Sequence, residues 1–68
     1  MNRSKLVIYA LESLAQRDRI DIQRYETMFA ENGHNLPQQD LEWLNFHRKR
    51  LGKIMNTIND ISTGKVKI

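Results

Sequence analysis

Cysteine is absent from this chain. That excludes disulfide bridges and thiolate metal sites, two of the staples on which very small domains commonly rely. Histidine occurs only as His34 and His47, in different segments, which is not the spacing of a metal-binding pair. There is no glycine-rich phosphate loop, no cysteine nucleophile, and no serine, histidine and acid cluster that spacing alone would assemble. The chain is therefore read as non-enzymatic and without a cofactor. Long apolar runs are missing too. Leu6 to Leu11 is cut short by Glu12, and Gln16, Arg17 and Asp18 follow. That run is too short for the apolar region of a secretion signal and far too short for a membrane span. A cytoplasmic protein is expected.

What remains is a single small domain of 68 residues. A chain of this size buries only about 60% of its unfolded surface. With disulfides and metals excluded, oligomerisation is the remaining way to complete a core, and a homodimer is expected. The formal net charge is +3, unevenly spread. Residues 1–34 balance Arg3, Lys5, Arg17, Arg19 and Arg24 against Glu12, Asp18, Asp21, Glu26 and Glu31. Residues 35–68 set Arg48, Lys49, Arg50, Lys53, Lys65 and Lys67 against only Asp40, Glu42 and Asp60. All the excess lies in the second half, a hint of an acidic partner, though short of the dense basic stripe of a dedicated nucleic-acid binder.

The pattern predicts an all-α protein of three helices, two short and one long, over residues 1–64, with 65–68 as a frayed tail. The first helix spans about Ser4 to Gln16, with the Ser4 hydroxyl as cap. Its apolar residues Leu6, Val7, Ile8, Ala10, Leu11, Leu14 and Ala15 cover an arc wider than one contact requires, so part of that arc is expected to meet another chain. Arg17 to Ile20 reads as a polar link. Asp21 then caps a second helix carrying Ile22, Tyr25, Met28 and Phe29, which Asn32-Gly33 ends. Pro37 opens the third, and it runs to Ser62. At 1.5 Å per residue it is roughly 39 Å long, while a compact chain of this length has a radius of gyration of about 11 Å. A helix that long needs a partner, and a second copy is the expected one. Gly52 is either a weakness of about 1 kcal/mol relative to alanine or a point of close helix approach.

The long helix sorts into two faces. Leu41, Leu44, Leu51, Ile54, Met55, Ile58 and Ile61 form a broad apolar stripe, a coiled-coil-like seam interrupted by Arg48. With Val7, Leu11 and Leu14 this stripe is the expected core and dimer seam. His47 lies within it, read as a half-buried histidine with one hydrogen-bond partner, and Trp43 at its rim is read as core. The other face carries Phe46 with Lys49, Arg50 and Lys53, the candidate partner-binding face. Cations beside an exposed aromatic suit protein contact, or stacking and phosphate contact with a nucleic acid. A helix-turn-helix reading of the Gly33 turn and Gln38-Gln39 is opposed by Asp40 and Glu42, which would face phosphates.

The opening Met1-Asn2-Arg3-Ser4-Lys5-Leu6-Val7-Ile8 and the segment Leu44-Asn45-Phe46-His47-Arg48-Lys49-Arg50-Leu51 resemble small accessory proteins of lambdoid bacteriophages, the early-region products encoded between the exonuclease and excisionase genes. The resemblance implies a helical protein of the bacterial host cytoplasm that adjusts host physiology or phage development by binding a host or phage protein. Ile20-Asp21, Leu36, Leu41, and His47-Arg48 with Leu51 are similar in order to elements of the haemolysin-expression-modulating family, which implies a modulator of nucleoid-associated proteins. A regulator bound to nucleic acid through the basic and aromatic face is the alternative function.

Overall fold

No proline or glycine occurs between Asn2 and Asn32, so nothing in that stretch forbids a continuous helix. In the computed structural model, which describes residues 2–67, a single α-helix occupies Arg3–Glu31 (α1) and a second occupies Gln38–Ser62 (α2). The two pack as an antiparallel hairpin. The fold is all-α among the described residues, with two helices where three were expected.

The difference lies at Arg17 to Ile20, which is not a link but the middle of α1. Arginine is a good helix former, and the segment stays in register with a seam. Ser4, Ile8, Leu11, Ala15, Asp18, Ile22, Tyr25 and Phe29 are alternately four and three residues apart, and none of them is exposed. A charged residue at the centre of that series disguised its continuity. Asp21, expected as a cap, is likewise interior to α1.

The ends of the helices follow local chemistry. Asn2 caps α1, its Oδ1 accepting from the Lys5 amide at 2.8 Å, so Ser4 lies inside the helix rather than capping it. At the other end Gly33 and His34 both have positive φ, 67° and 63°. The His34 amide donates to the Phe29 carbonyl at 2.8 Å, and the His34 ring meets the Phe29 ring edge-on at 5.6 Å. This is the six-to-one bond and side-chain contact of a Schellman stop. Pro37 sits one position ahead of its expected place, as the cap of α2, and its carbonyl accepts from Asp40 and Leu41. Gly64, with φ 79°, closes α2 by a second such stop. Its amide donates to Ile61, and the amides of Lys65 and Val66 donate to Asp60. The segment expected to fray is thus tied back through Val66, while Ile68 lies outside the described residues.

The seam of α2 is Asp40, Leu44, His47, Leu51, Ile54, Ile58 and Ile61, again alternately four and three apart and none exposed. Alternating spacing of this kind keeps a stripe of side chains against a neighbouring helix. Ala15, Leu36, Leu44, Ile54 and Ile61 are buried. Leu36, in the connection, covers the closed end. The partner that the length of α2 demanded is α1 of the same chain, roughly 43 Å long against roughly 38 Å for α2. The hairpin measures 46 × 19 × 16 Å, with a radius of gyration of 15.0 Å.

One expected seam member leaves the core. Met55 is exposed, and its sulfur accepts from Arg19 at 3.2 Å. Trp43, expected in the core, is 47% exposed. At Gly52 an added Cβ would meet nothing within 4 Å, so no helix of the chain approaches there. Replacing Gly52 with alanine should therefore stabilise the fold by about 0.5–1 kcal/mol, the helix-propensity difference alone. Urea unfolding followed by circular dichroism reads this directly, and a loss of stability would show that something packs against that position.

Candidate functional site

Asp18 lies midway along the α1 seam and is fully buried. A carboxylate there needs donors, because burying an unpaired charge is costly. Two α2 residues supply them. Arg50 grips the carboxylate in fork fashion, Nε donating to Oδ2 at 3.0 Å and Nη2 to Oδ1. His47 Nδ1 lies 3.0 Å from Oδ1, and Nε2 lies 3.9 Å from Asp21 Oδ2. Since an ionised carboxylate only accepts, Nδ1 carries the hydrogen in the Asp18 contact. Among the described residues no buried side-chain nitrogen or oxygen lacks a partner.

The electrostatics follow from this geometry. The Arg50 fork holds the Asp18 carboxyl below its ordinary value of 3.8; burial opposes it, and the His47 contact reinforces it. The same contact raises the Arg50 guanidinium. Bidentate arginine–carboxylate pairs are among the stronger and more directional hydrogen-bonded contacts, so the cluster fixes the register of α2 on α1.

Aromatic rings surround the histidine. Tyr25 of α1 and Trp43 of α2 each stack with the His47 ring, at 6.2 and 5.9 Å with interplanar angles of 25° and 27°. Phe46 meets His47 edge-on at 5.6 Å and Trp43 edge-on at 5.8 Å. The Arg50 guanidinium carbon lies 5.1 Å from the Phe46 ring centre, a cation–π contact. Trp43 and Phe46 nonetheless keep nearly half their surface open, 47% and 48%. They form an aromatic ledge whose inner edge rests on the buried cluster. Shallow recesses flank Phe46, one lined by Gln39, Glu42 and Trp43, the other by Lys49, Arg50 and Lys53.

The four residues expected on the partner-binding face do not share one fate. Phe46, Lys49 and Lys53 are exposed on one side of α2. Arg50 is turned inward to Asp18, so its charge is already matched within the chain. Within the expected seam, Leu44, Ile54 and Ile61 are buried, and Leu41, Leu51, Ile58, Val7, Leu11 and Leu14 are partly covered. His47 is nearly buried. Asp18, Asp21 and Tyr25 were not singled out as site residues by sequence reasoning. The signal available was the unbroken four-and-three spacing through Asp18, which places an acid on the face that α2 must cover.

The two long sides of the hairpin differ. One carries Glu12, Arg19 and Glu26, all exposed, with Glu26 accepting from Arg48 at 3.0 Å. The other carries Val7, Leu14 and Met28, all partly covered, on α1 and the exposed Trp43 and Phe46 on α2. Among the described residues there is no cluster of histidines and carboxylates able to hold a metal ion, and no helix is long and apolar enough to cross a membrane. Comparison with protein-family models, with curated proteins and with solved structures gave no match to this chain.

Asp18→Ala should destabilise the hairpin by about 3 kcal/mol, the low end for breaking a buried pair, because Arg50 can rehydrate while His47 keeps its place. The pH dependence carries a sign. With the folded value depressed, Asp18 adds stability above its unfolded value, near 4, and that stability is lost as pH falls through the lower folded value. The melting temperature should drop below pH 4, and more gently in Asp18→Asn. Equal acid slopes in the two proteins would mean that the carboxylate is not ionised in the fold.

Proposed function

We propose that this chain is a small, non-enzymatic regulatory adaptor that binds another protein through the ledge of Trp43 and Phe46 with Lys49 and Lys53. The observation that carries the reading is an aromatic pair left half open to water yet seated on a buried ion cluster. Exposed apolar surface that is held in place marks interaction sites, and tryptophan and arginine-flanked aromatics are favoured anchors of protein interfaces. The non-enzymatic reading is supported by the commitment of His47, whose Nδ1 faces the buried Asp18 carboxylate and whose ring stacks with Tyr25 and with Trp43. The bacterial cytoplasm, with a host or phage protein as target, is the setting implied by the likeness to phage accessory proteins.

The adaptor acts as a homodimer. α1 has more apolar arc than α2 can cover: Leu6 is 59% exposed, Ala10 is exposed, and Val7 and Leu14 are only partly covered. That arc lies toward the open end of the hairpin, away from Trp43, so a second copy on it leaves the ledge free. Ala10→Glu leaves the hairpin itself untouched, because the site is exposed and glutamate forms helix well. Sedimentation equilibrium should give a dimer for the natural chain and a monomer for this variant. A natural chain that stays monomeric at high concentration removes the dimer.

The alternative, nucleic-acid binding through the same face, is supported by the aromatic rings and the two lysines. It is weakened by Arg50, whose charge is matched by Asp18. Capture from bacterial lysate, with and without nuclease, separates the two. The adaptor predicts a nuclease-resistant protein retained by the natural chain and lost with Phe46→Ala. Capture abolished by nuclease would replace it with the alternative.

A further inference from the structure

We infer that the ledge takes an acidic amphipathic helix of the partner protein, its apolar side on Trp43 and Phe46 and its carboxylates on Lys49 and Lys53. The inference rests on the adaptor reading and adds the chemistry of what is bound. Four features carry it.

The first is shape. Trp43, Phe46, Lys49 and Lys53 are three, three and four residues apart, so they line one side of α2 over about 15 Å, some three turns. A stripe of that length, winding gently across one side of the helix, matches another helix better than a globular surface, and helix-in-groove recognition reads anchors at this spacing. The second is fixed apolar contact. The rings are braced against each other and against His47, so little side-chain freedom is lost when a partner covers them.

The third is charge. Among the described residues neither Lys49 nor Lys53 forms an ion pair. They are one turn apart, a Cβ separation of about 5–6 Å, which suits two carboxylates one turn apart on a facing helix. No acid occurs in the chain between Glu42 and Asp60, and the acids that α1 brings to this stretch, Asp18 and Asp21, face His47 and Arg50 rather than forming a salt bridge with either lysine. Arg50 adds contact rather than net charge, since Asp18 neutralises it while its guanidinium stacks on Phe46.

The fourth is the acid at the other end. Glu42 borders the recess beside Trp43. A uniformly anionic ligand such as a nucleic-acid strand would meet repulsion there. A helix with carboxylates at one end and a neutral or basic residue at the other would not, so Glu42 sets the direction in which it lies. Complementary charge arranged this way governs partner choice more than total affinity.

The test uses Trp43, the only tryptophan of the chain, as reporter. The probe is a synthetic tryptophan-free helical peptide of about four turns, with leucines along one side and glutamates one turn apart beside them. Its twin has lysine at each glutamate position, and a thymidine oligonucleotide is the third probe. The acidic peptide should shift Trp43 emission to the blue, saturably and less tightly as salt rises. Phe46→Ala should weaken binding about tenfold. The double variant K49E/K53E, altered only at exposed positions, should lose the acidic peptide and gain its lysine twin. Circular dichroism checks that each variant keeps its helices. Equal binding of both peptides, unchanged preference in the double variant, tighter binding of the oligonucleotide, or no binding at all would each overturn the inference. Should lysate capture still depend on Phe46 while the acidic peptide fails, the adaptor reading stands and this partner chemistry falls.

Discussion

Asp18 carries a negative charge into the middle of the hairpin, and the surrounding side chains are placed to satisfy it. Arg50 reaches it with two donors and His47 with one, all from α2. An apolar seam tolerates slippage, because leucine and isoleucine at one level are much like those at the next. A buried carboxylate with a two-pronged arginine does not. The ion cluster therefore sets which residue of α2 stands beside which residue of α1, and the apolar residues above and below it fill the register so defined.

The same cluster shapes the outer surface. His47 is held from within by Asp18, and Trp43 and Phe46 lean on His47. Burial in the seam and exposure on the ledge are thus two sides of one arrangement. It also divides the basic residues of α2 by role. Arg48 pairs across the helices with Glu26 and Arg50 with Asp18, whereas Lys49 and Lys53 face outward. A run that looks like one basic patch in sequence is two cross-helix ties and a pair of available charges.

How much of this was legible depended on the range of the interaction. The start of α2 near Pro37, its end before Gly64 and the stop at Gly33 follow from residues within a turn of each position. The apolar stripe of α2 was readable too, apart from Met55, because periodicity needs only one helix. The continuity of α1 was hidden by its centre. Arg17, Asp18 and Arg19 have the composition of a link, and only the spacing of residues on both sides showed otherwise. Splitting α1 had a second effect: it removed from view the one element long enough to cover α2, so a second copy was asked to do what the chain does for itself.

The sequence by itself determined that the chain is helical, that helices stop at Gly33 and Gly64, and that α2 has an apolar and a basic side, because these are properties of residues at most a turn apart. The tertiary structure decided what α2 packs against, that Asp18 is buried rather than solvated, that Arg50 turns inward, and that Trp43 stays half open. Each of these depends on side chains brought together from opposite arms of the hairpin, Arg50 and Asp18 being 32 residues apart. The four-and-three spacing places Asp18 on the covered face of α1, but spacing alone does not supply its partners. Its burial becomes favourable only when an arginine and a histidine from the other helix are already aimed at it.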